Sequence, residues 1–152
     1  MAKKNPDKKR ITNKRASHDY FLEDSILAGI VLSGAEAKSL RMGHGHLQGA
    51  YVTEKGGELY LTNATINGAQ GIPIAEEDQT RSRKLLVKKS EIAKLVAKKQ
   101  QGNTIIPLEI LPIGRYIKIR IASGRGKKNY DKRHSLKERD ETRQINRAMK
   151  NS

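Results

Sequence analysis

Cysteine and tryptophan are missing from this 152-residue chain, and phenylalanine occurs once. Without cysteine the chain can form no disulfide bond and has no thiolate for catalysis or metal binding. Long apolar runs are missing as well, and the first ten residues, MAKKNPDKKR, contain no apolar segment of the kind that a signal peptide requires. The sequence therefore predicts neither a signal peptide nor a membrane span, and we expect a cytoplasmic protein.

Recognisable catalytic motifs are also lacking. The chain has no serine–histidine–aspartate arrangement, glycine-rich phosphate loop or paired acid–base motif. His44 and His46 could share one side of a strand, but without a cysteine or a nearby acidic residue a zinc site is disfavoured. The carboxylates of 76–78 could hold Mg²⁺ for phosphodiester cleavage, although neighbours on a loop diverge and solvation is favoured. We expect no enzymatic activity, no metal and no cofactor.

Positive charge is abundant and lies mostly at the two ends of the chain. The net charge is +15; residues 1–17 have seven basic and one acidic residue, and residues 124–152 have ten basic and four acidic residues. Such arms favour nucleic acid as the partner over an anionic membrane, because neither arm has a tryptophan or phenylalanine anchor. A purely solubilising tail is the third interpretation. We predict a basic flexible arm at 1–17, a domain at 18–123, and a basic tail at 124–152 that is disordered alone.

Periodicity in the middle region predicts about six strands and two short helices. The predicted strands are 18–32, a hairpin at 50–62 around Lys55–Gly57, 84–88, 104–110 and 115–122. One helix follows Ser33, which forms a capping box with Glu36, and ends at Gly43. The second helix is capped by Ser90 and ends at Gly102. Short antiparallel strands with one late helix favour a small oligonucleotide-binding-type (OB-like) barrel over a flat α+β sheet.

The last predicted strand, RYIKIRIA, has two different faces. Ile117, Ile119 and Ile121 alternate onto one face, which we expect in the core. The other face presents Tyr116, Lys118 and Arg120. An aromatic ring beside two cations suits RNA, because the ring can stack on a base while the cations meet phosphate. An ordinary solvated face is the alternative, and the pattern alone does not decide between them.

Four separated motifs carry a resemblance to a known family. They are NKRASHDYF (13–21), AGIVLSGAEAKSLRMG (28–43), RSRKLLV (81–87) and GRGKKNYDKR (124–133). In this order they resemble small protein B, the partner of transfer-messenger RNA (SsrA RNA) in bacterial ribosome rescue. The resemblance implies an OB-like barrel that binds the tRNA-like domain of that RNA. It also implies delivery to stalled ribosomes with elongation factor Tu, trans-translation and tagging of the nascent chain. We expect a monomer with no membrane partner.

The resemblance also implies roles for particular residues of the barrel. Leu86 and Lys118 match positions that contact the tRNA-like domain, whereas Leu27 stands where the family usually has glutamate. His44 and His46 replace a lysine and an asparagine of the family pattern, which should weaken an RNA contact near neutral pH. The predicted RNA-binding set of the barrel is Leu86, Tyr116, Lys118, Arg120, His44 and His46.

For the tail, the resemblance implies entry into the empty mRNA channel and helix formation on the ribosome. The predicted contacts with the decoding centre and channel are Lys127, Lys128, Tyr130, Asp131, Lys132, Arg133, Ile145 and Met149. Ile145 and Met149 form the apolar face of the induced helix, whose N-terminus is marked by a capping box of Ser135 and Glu138. Two other functions remain open: a constitutive rRNA-binding protein with basic arms, and a metal-dependent nuclease that uses the acidic loop.

Overall fold

The computed structural model describes residues 10–128 and the two single positions Arg133 and Arg143. The described strands are β1 (Ile11–Thr12), β2 (Tyr20–Ile30), β3 (Gly45–His46), β4 (Tyr51–Lys55), β5 (Glu58–Thr62), β6 (Thr65–Ile66), β7 (Arg83–Leu86), β8 (Thr104–Ile113) and β9 (Tyr116–Gly126). The helices are α1 (Ala16–Asp19), α2 (Gly34–Arg41) and α3 (Lys89–Gln100), and a 3-10 turn spans Glu76–Asp78.

Seven of these strands form one antiparallel sheet in the order β1-β8-β9-β2-β7-β5-β4, and β3 pairs with β6 in a small second sheet. Strand β4, at one end of that order, packs against β8 near the other end, so the sheet curls around its core as a partly closed barrel. The prediction of a mainly β, antiparallel fold is confirmed. The predicted number of strands was too low because β1, β3 and β6 have two residues each and show no periodicity.

Local signals placed three of the predicted elements correctly. Ser33 Oγ accepts from the Glu36 backbone N–H at 3.1 Å, and Glu36 Oε1 accepts from the Ser33 N–H at 2.9 Å, which is the expected capping box of α2. Strands β4 and β5 form the expected hairpin, with Gly56 and Gly57 at positive φ in the turn. Ile117, Ile119 and Ile121 of β9 are buried in the core.

The expected cap of α3 was wrong. The helix begins at Lys89, Lys88 is the N-cap residue without a side-chain hydrogen bond, and Ser90 lies in the first turn. Lys88 has the extended conformation that is typical of an N-cap residue, with φ −63° and ψ 143°. The helix therefore begins at Lys89, one residue before Ser90. Ile92 and Leu95 of α3 are buried in the core.

Both ends of the barrel extend beyond the expected domain boundaries. Ile11 and Thr12 pair with β8, and Ala16 of α1 is buried, so residues 10–17 are part of the barrel rather than of a separate arm. Strand β9 continues to Gly126 and pairs with Tyr20–Leu22 of β2. A Cβ at Gly124 would lie 2.7 Å from Ile106 Cδ1, so glycine allows a close strand approach at this end of β9.

A buried ion pair joins α2 to the strands. Arg83 has 0% exposure and Glu36 has 2%. Arg83 Nε donates to Glu36 Oε2 at 2.7 Å, and its other nitrogens donate to the carbonyl oxygens of Ala64, Asp78 and Gln79. Arg81 also bonds both oxygens of Glu36. Each donor and acceptor of this pair is therefore satisfied by a defined partner.

The electrostatics of the ion pair follow from burial and from these bonds. Burial raises the pKa of Glu36, but hydrogen bonds from Arg81, from the Ser33 N–H and from Arg83 outweigh it and hold that pKa below its usual range. Burial lowers the pKa of Arg83, and Glu36 opposes this change. Arg83 stays charged because the pKa of an arginine lies far above neutral pH.

Candidate nucleic-acid interface

Three strands bring two of the predicted RNA-binding residues into one row on the outside of the barrel. Gly29 of β2 is the register partner of Lys118 on β9 and of Leu86 on β7. Lys118 and Leu86 are therefore two strand spacings apart, about 10 Å. A Cβ on Gly29 would lie 3.1 Å from Leu86 Cβ, so the missing side chain leaves room for Leu86 over the strand. Leu86 is 57% exposed, although it is a large apolar residue.

The next row pairs Leu27 of β2 with Arg120 of β9. Arg120 Nε donates to Glu109 Oε1 at 3.1 Å, and Arg10 Nη1 donates to Glu109 Oε2 at 3.0 Å. Glu109 thus holds two guanidinium groups, and the three side chains carry a net charge of +1. Leu27 is exposed. This row is apolar on β2 and cationic on β9.

Tyr116 begins β9 and is the most exposed large apolar side chain of the described barrel, at 70%. Lys118 Nζ lies 5.8 Å from the centroid of its ring, within the range of a cation–π contact. Tyr116, Lys118 and Arg120 share one face as alternation predicted, since Ile117, Ile119 and Ile121 are buried. The outer patch is defined as Leu27, Gly29, Leu86, Tyr116, Lys118 and Arg120.

The two histidines of the predicted set do not belong to the outer patch. His46 is an exposed residue of β3, in the small sheet. The backbone of His44 bonds Ser39 and Asn67 at the end of α2, and its side chain is half-buried. Their contact with RNA stays a prediction, and it requires a surface other than the one that holds Leu86 and Lys118.

A second cluster of one aromatic ring and two cations lies where the tail leaves the barrel. Arg125 Cζ and Lys127 Nζ lie 5.3 Å and 5.0 Å from the centroid of the Phe21 ring. The Lys127 backbone N–H donates to Asp19 O at 2.8 Å, and its Nζ donates to Ser17 O at 2.9 Å. Phe21, Arg125 and Lys127 are named the tail root. Sequence reasoning missed Phe21 because its neighbours Arg125 and Lys127 lie more than a hundred residues away in the chain.

The remaining predicted residues of the tail are only partly described. Lys128 and Arg133 are exposed, and Arg133 has helical backbone geometry at that single position, which defines no helix. Tyr130, Asp131, Lys132, Ile145 and Met149 lie outside the described residues, as do Ser135 and Glu138. The roles of these residues stay predictions.

The acidic run that was considered as a magnesium site is an exposed 3-10 turn, Glu76–Asp78. Within the described part of the chain, no three acidic or histidine side chains gather as metal ligands would. The same part contains no helix that is both long and apolar enough to cross a membrane. The fold and the outer patch together define a small OB-like barrel with a basic and aromatic outer face.

Comparison with known proteins leads from this class to a family. The family model described as "SmpB protein" matches residues 10–151. The chain is 40% identical over 154 residues to the SsrA-binding protein of Clostridium acetobutylicum, covering 100% of this chain and 99% of that protein. It is 43% identical over 145 residues to the SsrA-binding protein of Bordetella parapertussis, covering 92% of each. The chain belongs to the SmpB family.

A solved structure supports the same assignment. One chain of the structure described as "tmRNA-SmpB: a journey to the center of the bacterial ribosome" superposes with a TM-score of 0.66 at 36% identity. The match covers 84% of this chain and 94% of that chain. Membership of a family whose curated members are named as binding proteins confirms the prediction of a binding protein and not an enzyme.

Proposed function

We propose that this protein binds the tRNA-like domain of transfer-messenger RNA through its outer patch and delivers that RNA to stalled ribosomes. The observation that carries the proposal is the row Lys118–Gly29–Leu86, in which a cation and an exposed leucine come from the strands on either side of Gly29. Because Gly29 has no side chain, Leu86 lies over β2, and one RNA segment can meet this apolar surface and the Lys118 cation together. The relatives named as SsrA-binding proteins support RNA as the ligand.

The departure at Leu27 changes the chemistry of the patch. The family usually has glutamate at this position. In this chain Leu27 lies directly across from Arg120. Leu27 offers Arg120 no carboxylate from the register position opposite it, and Arg120 bonds Glu109 on β8. The patch therefore gains apolar surface at Leu27 and keeps a bound orientation of the Arg120 guanidinium. We propose that Leu27 packs against sugar or base edges where relatives make a polar contact.

The tail supplies the second half of the proposed function. We propose that it occupies the empty mRNA channel and the decoding centre, so that trans-translation and tagging of the nascent chain follow, with elongation factor Tu present in the delivery complex. The tail root supports this division, because Lys127 is bonded to the backbone of Ser17 and Asp19 and gives the tail a defined starting point. The protein acts as a cytoplasmic monomer in this scheme.

A binding titration with the isolated tRNA-like domain at several salt concentrations tests the outer patch. Lys118→Ala should weaken binding and reduce the slope of log K against log salt by about one phosphate contact. Leu86→Ala should weaken binding without changing the slope, because leucine releases no counterion. Lys55→Ala is the matched control, since Lys55 is exposed at the turn between β4 and β5, and β4 pairs with none of the strands that hold the outer patch. Equal affinity and slope for Lys118→Ala and the control would show that the patch is only solvated.

The RNA that copurifies with the protein from cells separates this function from constitutive rRNA binding. Transfer-messenger RNA as the single enriched species supports the proposal. Enrichment of bulk rRNA, unaffected by Lys118→Ala, would contradict it.

A further inference from the structure

A cavity of about 640 Å³ opens on a part of the barrel that the proposed function does not use. Its walls are the N-terminal segment 12–20 and the segment 46–51 that leads into β4, with Thr104 and Ile106 of β8 behind them. No residue of the outer patch lines it. The volume lies within the range of roughly 300–1,000 Å³ that is typical of small-ligand sites.

The lining combines aromatic rings with cations. Tyr20 and Tyr51 both line the cavity, and Tyr51 is exposed although it is a large aromatic residue. Lys14 and Arg15 lie on the N-terminal wall and are exposed. Asp19 is the one carboxylate among the described lining residues, and it is engaged by Arg15 at 3.5 Å and by His18 at 2.9 Å. The cavity therefore favours an anion that also has a flat ring.

Polar groups for recognition stand beside an apolar floor. His46 and Gln48 line the cavity on the second wall, and both are exposed. Imidazole and amide groups can each donate and accept hydrogen bonds with the edge of a base. Leu47 and Ala16 are buried and form part of the lining, so a ring placed there would leave water.

We propose that this cavity binds one unstacked nucleotide of single-stranded RNA, with the base against Tyr51 and Tyr20 and the phosphate beside Lys14 and Arg15. The inference rests on the proposed function, because it assumes an RNA partner, but it adds a second contact outside the outer patch. The site adjoins the tail root: Asp19 lines the cavity, and its carbonyl oxygen accepts from the Lys127 N–H. A nucleotide bound there lies next to the point where the tail leaves the barrel.

The test compares two fluorescent probes on the full-length protein by anisotropy: a six-nucleotide oligoadenylate and an abasic strand with the same phosphates. The oligoadenylate should bind about tenfold more tightly than the abasic strand, because stacking of one base on an aromatic side chain strengthens binding by roughly that factor. Tyr51→Ala should bring the ratio of the two affinities close to one, and Tyr51→Phe should preserve it. Tyr60→Ala is the matched control, because Tyr60 lies on neighbouring β5 and does not line the cavity. Lys14→Ala should weaken both probes equally.

Each result decides the matter. Equal binding of the two probes by the wild-type protein overturns the proposal, and so does a ratio that Tyr51→Ala leaves unchanged. A 4-thiouridine strand should crosslink to the peptide that contains Tyr20 or Tyr51, and crosslinks confined to β9 also count against it. A lower affinity of Lys118→Ala for the tRNA-like domain, measured in a separate titration, tests only the proposed function. Lys118→Ala should leave the ratio of the two short probes intact.

Discussion

The outer patch holds Tyr116 beside Lys118 and Arg120, and the tail root holds Phe21 beside Arg125 and Lys127. Tyr116 is 70% exposed and Phe21 is 41% exposed. In the tail root the lysine is bonded to two backbone groups of the barrel, and a cation approaches the ring from each of two residues. In the outer patch Lys118 approaches a ring that remains mostly in water.

This difference shows that the same residue types serve two purposes. Contacts in the tail root tie the end of β9 to α1 and the start of β2, so they stabilise the fold and set where the tail begins. Contacts in the outer patch are near the surface and can be exchanged for contacts with RNA at little cost, because exposed cation–π pairs contribute only about 0.5–1 kcal/mol. One cluster thus holds the start of the tail, and the other is the proposed RNA interface.

Removal of residues 129–152 should have the largest effect, because it should separate RNA binding by the barrel from tagging on the ribosome. The outer patch and the tail root both remain, so affinity for the tRNA-like domain should stay within about tenfold of the wild-type value. Tagging on ribosomes stalled at an mRNA end should fall to background, because the segment proposed to enter the channel is gone. Gel-shift titration and transfer of the nascent chain to charged transfer-messenger RNA measure the two outcomes.

The position of the cut matters. A chain that ends at Ser123 would also lose the residues of β9 that pair with Tyr20, Phe21 and Leu22, and this would confuse loss of the tail with damage to the barrel. If the chain that ends at Lys128 supports transfer at the wild-type rate, the tail is only a solvated extension.

Glu36→Gln should destabilise the whole barrel, and with it the outer patch and the tail root, because the buried ion pair joins α2 to the strands. The neutral side chain leaves Arg83 charged and buried, and loss of one partner of a buried pair costs about 3–5 kcal/mol of unfolding free energy. Urea unfolding at neutral pH measures the loss. The exposed Glu23, which pairs with Lys98, provides the control Glu23→Gln, which should unfold nearly as the wild type does.

Acid should act on the same pair with a defined sign. The pKa of Glu36 is lowered in the folded protein, so its stabilising contribution is complete above the pKa of the unfolded chain. That contribution is lost as the pH falls below the ordinary glutamate value and through the lowered folded-state value. Unfolding free energy measured from neutral pH downward should therefore decrease in this acid range, and Glu36→Gln should flatten the decrease. Parallel curves for the two proteins would contradict the assignment.

Gly124→Ala should weaken the tail root without affecting the outer patch. The added Cβ would meet Ile106 Cδ1 at 2.7 Å and Leu22 Cδ2 at 3.2 Å, and such overpacking costs about 1–3 kcal/mol. Gly126→Ala is the matched control, because a Cβ there meets nothing within 4 Å. Thermal unfolding should separate the two variants. Equal stability would mean that the end of β9 adjusts freely.

Phe21→Leu should have the smallest effect on stability, and its effect should be local to the tail root. It removes the aromatic face from Arg125 and Lys127 but keeps an apolar side chain, so the unfolding free energy should fall by about 1 kcal/mol. Hydrogen exchange of the Lys127 amide, which donates to Asp19 O, should become faster, while affinity for the tRNA-like domain stays the same. Unchanged exchange would show that the backbone bonds hold the root without the ring.

The elements that sequence reasoning placed correctly depend on neighbours in the chain. The capping box needs only Ser33 and Glu36, and the hairpin needs only Gly56 and Gly57 between alternating residues. Alternation likewise separated Ile119 from Lys118. Leu86 was identified through resemblance, because a leucine within the apolar run Leu85–Val87 gives no local sign that it will be exposed.

The strand periodicity, the helix cap, the basic ends and the family motifs can be read from the order of the residues alone. The shared row of Lys118, Gly29 and Leu86, the contact of Phe21 with Lys127 and the place of residues 10–17 in the barrel become visible only in the folded chain. The reason is physical. Cross-strand register depends on pairings between residues far apart in the chain, and a shift of one residue would turn every side chain of a strand to the opposite face.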